Sequence, residues 1–114
     1  RERIMTVKEL SEHQAFESIT MPQPEREIKN VYIGDLLSWV MGKAQANNAW
    51  ITIMSNINVA AVAALTDVSC VILAEGVEME AEVIKTSEEK GINVLATKLP
   101  AYEAAVALMG VLGE

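Results

Sequence analysis

The polar residues best placed to do chemistry each stand behind an apolar run: Gly34 and Asp35, then Ser55, Asn56 and Asn58, then Glu75, then Thr97. The runs they follow are rich in Val, Ile and Leu, and an open parallel sheet holds its ligand outside the carboxyl ends of such strands. These seven residues therefore form the candidate ligand-binding site. Ser55, Asn56 and Asn58 also open an apolar segment of helical length. Unpaired N–H groups at a helix N-terminus favour an anion or a phosphate, so a nucleotide or another anion is the ligand class this pattern admits. The competing reading is plain helix capping, by Ser55 or Asn56 in one place and by Asp35 in another. No Lys or Arg stands near residues 55–58.

Catalytic patterns are not found. A phosphate-binding loop needs G-x-x-x-x-G-K-[ST] between a strand and a helix. The one Gly-Lys pair, Gly42-Lys43, has Leu37 where the first glycine belongs and is followed by Ala44. There is no G-x-G-x-x-G. His13 and Cys70 are the single histidine and cysteine, far apart in the chain, so neither a metal cluster nor a nucleophile–base pair is expected. His13 reads as a helix-surface residue and Cys70 as a small buried hydrophobe. The expectation is a protein without catalytic residues, metal or cofactor.

The elements that position the candidates centre on residues 49–76. Trp50 to Met54 and Val71 to Ala74 are continuous apolar runs, joined by a stretch with no charge from Val59 to Leu65. Two such strands with an all-round apolar helix between them predict a βαβ unit in a parallel sheet covered on both faces. The pattern repeats at 28–46, 49–66, 69–90 and 92–112. Inside these repeats the sequence predicts a strand over Ile28–Ile33, a helix from Leu36 to about Ala46, and a helix from about Glu80 to Lys90 stopped by Gly91. The inward stripes are expected at Leu36, Leu37, Val40 and Met41, and at Val77, Ala81 and Ile84. Ahead of the repeats, Thr6 and Glu9 match a capping box for a helix from Val7 to about Gln14, and Phe16–Ile19 fits a short strand. The fold class is α/β: a single three-layer domain with a mostly parallel sheet of four to five strands and helices packed on it, built from βα repeats.

At 114 residues the chain is one domain by size. Residues 1–4 read as an N-terminal extension or a start assigned too early, and 5–114 as the domain. A formal charge of −7 argues against nucleic acid and against anionic lipid. No apolar run is long enough to span a bilayer, no signal peptide is evident, and a lone cysteine fits a cytoplasmic setting. The last helix, opened by Pro100, holds one charged residue, Glu103, before its end at Leu112. Tyr102, Ala105, Val106, Met109 and Leu112 are assigned to the sheet-facing side. Ala104, Leu108 and Val111 are left on another face, which marks them as a homodimer interface.

At these residues the chain resembles the DRTGG domain family. The resemblance is carried by Val31-Tyr32-Ile33-Gly34-Asp35-Leu36-Leu37, by Ala49 to Ile53 with Asn58 to Ala63, by Glu75-Gly76, and by Leu95-Ala96-Thr97 with Tyr102-Glu103. It is similar as well to the N-terminal domain of HPr kinase/phosphorylase, which does not hold that enzyme's phosphate loop. One departure stands at Met54 to Asn58, where the family carries an arginine and this chain has none. The resemblance implies a non-catalytic regulatory and assembly domain that self-associates and contacts a metabolic or redox enzyme in trans. The alternatives are a small-ligand sensor using the strand-end crevice and, more weakly, a serine kinase-related protein.

Overall fold

The computed structural model describes residues 5–113, and the side chains of residues 5–111. The reading of residues 1–4 as an extension, and the placing of the Leu112 side chain, lie outside what it describes. The elements run β1 (Met5–Thr6), α1 (Val7–Ser11), β2 (Glu17–Thr20), β3 (Glu27–Ile28), β4 (Asn30–Ile33), α2 (Leu37–Lys43), β5 (Asn48–Thr52), α3 (Ile57–Thr66), β6 (Cys70–Leu73), α4 (Ala81–Glu89), β7 (Val94–Ala96) and α5 (Ala101–Gly113). The five-stranded sheet has the order β2-β7-β6-β5-β4. Strands β4 to β7 are parallel, and β2 closes one edge antiparallel to β7. The four βα repeats stand where the sequence placed them, and the domain is mixed α/β with helices on both faces of the sheet. No helix among the described residues is long and apolar enough to cross a membrane.

Alternation along the strands builds two cores, since successive side chains point to opposite faces. Trp50, Val71, Leu73 and Val94 pack with Val40 of α2, Val59 and Val62 of α3 and Val83 of α4. Ala49, Ile51, Cys70, Ile72 and Leu95 pack on the other face with Val7 and Leu10 of α1 and Ala104 and Leu108 of α5. Every residue of β5 and β6 is buried, as strands covered from both sides require.

Helix phase is where the structure departs from the sequence reading. In α5, Ala104 and Leu108 are fully buried, so they are core and not a dimer interface, and Val111 packs partly against the same core. The side expected on the sheet is instead exposed at Tyr102, Val106 and Met109. An almost uniformly apolar helix gives periodicity little to resolve, and small Ala104 lets the helix approach the sheet closely. In α4 the buried residues are Val83 and Ser87, continuing Met79 just ahead of the helix; of the expected stripe Ile84 packs partly against this core, while Ala81 is exposed. Left-handed backbone at Glu75 and Gly76 turns the chain before α4 begins and sets that phase. In α2 only Val40 is buried, while Leu36 and Met41 are exposed, because a seven-residue helix over the sheet edge has little to cover. The strand expected over 28–33 breaks at Lys29: Ile28 pairs with Met5, and Asn30 onward pairs with β5.

The loop between β2 and β3 is stapled across the amino-terminal ends of the strands. Buried Asn93 donates to Gln23 O at 2.8 Å and Ser69 O at 2.9 Å, and accepts from Gln23 N at 2.9 Å. Ser69 Oγ donates to Glu27 O. Arg26 donates to Asn47 Oδ1 and Asp67 O, and pairs with Asp67 Oδ1 at 3.2 Å. Replacing Asn93 by Ala strands the Gln23 N–H and the Ser69 carbonyl, while Gln23 O keeps its bond from Arg26 N, and costs about 1–3 kcal/mol of stability in urea denaturation. A loss under about 0.5 kcal/mol, the ordinary effect of a neutral substitution, would contradict this role.

Candidate functional site

The parallel register brings the strand ends to one edge. Ile33 lies opposite Ile51, Thr52 opposite Leu73, and Leu73 opposite Ala96. All seven candidate residues follow these ends, yet they do not converge on one site.

At the β4 end Asp35 does not cap α2. Leu36 is the N-cap and makes no side-chain bond. Asp35 Oδ1 instead accepts from Thr52 Oγ1 at 2.8 Å and from Ile53 N at 3.0 Å, tying the exit of β4 to that of β5. Gly34 O accepts from the indole N–H of buried Trp50 at 2.8 Å. A Cβ on Gly34 would stand 2.8 Å from the Tyr32 ring, so a side chain here would have to displace that ring. At the β5 end Asn56 is the N-cap of α3, and its Oδ1 accepts from Asn58 N at 2.9 Å. Asn56 thus performs the capping that its residue type offers.

The exits of β6 and β7 are welded together. Glu75 and Gly76 both adopt left-handed backbone, with φ of 61° and 72°. Their N–H groups donate to Leu99 O and Thr97 O, each at 2.9 Å. Thr97 is buried; its Oγ1 accepts from Leu99 N at 3.1 Å, and its own N–H donates to Leu73 O.

Two hollows flank this edge. The larger, 660 Å³, lies between β2, the β6–α4 turn and the exit of β7. Its walls include Phe16, Ile19, Met79, Ile84 and Leu99, with Glu17, Glu78 and Lys98 among the polar lining residues. That size falls within the range of about 300–1,000 Å³ typical of ligand pockets. The smaller, 500 Å³ and more open, is lined by Tyr32, Gly34, Asp35, Trp39 and Lys43, with Lys43 Nζ 5.2 Å from the Trp39 ring centroid. Of the seven candidates, Thr97 lines the larger hollow and Gly34 and Asp35 the smaller. Ser55, Asn56, Asn58 and Glu75 line neither. The contribution of β2 was not legible, because nothing in Phe16 to Ile19 says that this strand returns antiparallel beside β7. Val77 to Met79 do carry a signal: they sit between a Gly turn and a helix start, on the crevice edge.

Among the described residues no group of three or more His, Cys, Asp or Glu could hold a metal ion. Burial pushes the Cys70 thiol up to about 12, with Arg26 pulling weakly the other way, so it stays protonated at neutral pH.

The sequence model of the DRTGG domain matches residues 19–111 of this chain. Among solved structures the chain is similar to the CBS and DRTGG domains of the regulatory region of Clostridium perfringens pyrophosphatase, crystallised with the activator diadenosine tetraphosphate. The TM-score is 0.75 at 14% identity, over 90% of this chain and 45% of that one. The likeness is one of fold, and the chain spans less than half of the pyrophosphatase region. No curated protein matches.

The two bonds to Asp35 set what its removal costs. Asp35→Ala lowers stability by about 1–2 kcal/mol in urea denaturation, and Asp35→Asn, which keeps an acceptor, by less. Equal losses in the two variants would contradict an acceptor role.

Proposed function

The chain belongs to the DRTGG domain family, and from that premise we propose that it is a non-catalytic regulatory domain, which self-associates and contacts a metabolic or redox enzyme in trans. The observation that carries self-association is the outer face of α5. Tyr102, Val106 and Met109 recur at helical spacing and are 75%, 52% and 46% exposed, with Glu103 the one charge between Ala101 and Gly113. A contiguous apolar stripe on a soluble domain marks an interface, and two-fold dimers are the commonest way to cover one. Ala104 and Leu108 anchor the helix beneath it. A second exposed group, Ile33, Leu36, Trp39, Ile53 and Ile57, surrounds the Asp35 corner and is the surface assigned to the partner enzyme.

A second reading, a small-ligand sensor, is favoured by the 660 Å³ hollow on the strand-end edge. The similar pyrophosphatase region has diadenosine tetraphosphate as its activator. Both readings describe one kind of protein, a domain that changes an enzyme's behaviour without doing chemistry.

Sedimentation equilibrium at micromolar concentration tests the assembly. The account predicts a dimer burying about 1,200–2,000 Å² in total. Val106→Glu yields a folded monomer, whereas Trp39→Ser leaves the dimer intact. A monomeric parent chain, or a Val106→Glu dimer of unchanged affinity, would overturn the assignment to α5.

A further inference from the structure

We propose that the hollow between β2, the β6–α4 turn and the β7 exit binds a small amphipathic cation: an apolar, flat body carrying a protonated amine or guanidinium group. The inference rests on the ligand-sensor reading and gives that ligand its chemistry.

The apolar part of the site comes from both sheet and helix. Phe16 and Met79 are almost fully buried, and Ile19, Ile84 and Ala96 are partly so. Together they offer a body of ring size a surface that water wets poorly, the usual lining of a small-molecule site. The polar part is acidic on balance. Glu17 of β2 and Glu78 of the β6–α4 turn are exposed lining residues, and Lys98 is the one cation beside them. No ion pair among the described residues engages either carboxylate. Of the backbone donors around the hollow, Glu75 N, Gly76 N, Val77 N, Thr97 N and Leu99 N already hold bonds within the protein.

Charge then decides between ligand classes. A polyphosphate brought here meets two carboxylates and a single ammonium, inside a domain of formal charge −7. A cation on an apolar body meets two unpaired acceptors and covers the apolar wall. The anion suggested by strand-end geometry alone is therefore disfavoured at this hollow.

Three probes of one shape separate body from charge: 1-naphthylmethylamine, 1-naphthylmethanol and 1-naphthylacetate, each titrated into the ¹⁵N-labelled chain and followed by amide shifts. The amine is expected to move Gly76, Val77, Thr97 and Leu99 and to bind about five-fold tighter than the alcohol, the scale of two partly exposed charge contacts. The acetate is expected to bind weakest. The double variant Glu17→Gln, Glu78→Gln should bring the amine to the alcohol's affinity while leaving the alcohol within two-fold. Amine and alcohol of equal affinity, or an acetate that binds tightest, at these same amides would overturn the cation while leaving the sensor reading in place. Shifts confined to other amides, or no shifts from any probe at millimolar concentration, would overturn both.

Discussion

A parallel sheet has to be covered on both faces, and in this domain the cover on one face depends on a single long helix. The strands β5 and β6 have no solvent side: each of their residues is buried. Three crossover helices close one face, α2, α3 and α4, because each follows its strand in turn. The other face is covered by the short α1, by Met5 and Ile28 of the paired β1 and β3, and by α5, the one long helix on that side. That demand turns Ala104 and Leu108 inward and leaves Tyr102, Val106 and Met109 outside. An outward apolar stripe is the consequence of a core that α5 completes with Ala104 and Leu108, and self-association is the proposed use of what remains.

The two ends of the sheet are built differently. At the amino-terminal end, polar side chains staple the β2–β3 loop to the strands: Asn93 reaches Gln23 and Ser69, and Arg26 reaches Asn47 and Asp67. A buried amide satisfied on three sides adds modestly to stability when intact and costs much more when broken. At the carboxyl end, backbone turns do the work. Glu75 and Gly76 lock to Thr97 and Leu99, and Asp35 ties β4 to β5. This end carries both hollows, in keeping with the rule that an α/β sheet exposes its ligand sites at strand carboxyl ends.

The repeats were legible because strand composition and helix spacing agree over 28–112. The capping box of Thr6 and Glu9 and the cap at Asn56 were legible because capping is local chemistry. Helix phase in α4 and α5 was not. In α5 apolar residues point in every direction, so only the sheet decides which face is buried. In α4 the left-handed turn at Glu75, a position where a non-glycine residue is uncommon, resets the phase by an amount that no residue spacing records. Of the candidate site, the sequence made legible the row of strand ends that the register brings to one edge, but not the hollows beside it, because a row of strand ends is not a pocket. The larger hollow exists because β2 returns antiparallel next to β7, a long-range pairing written in no local pattern.

The central claim is that the outer face of α5 meets a second copy of itself. An isotope-filtered NOE spectrum on an equal mixture of labelled and unlabelled chain reads that contact directly. The account predicts intermolecular cross-peaks among the Tyr102 ring, the Val106 methyls and the Met109 methyl. Intermolecular peaks that arise solely from Ile33, Trp39 or Ile57, or none at millimolar protein, would contradict it.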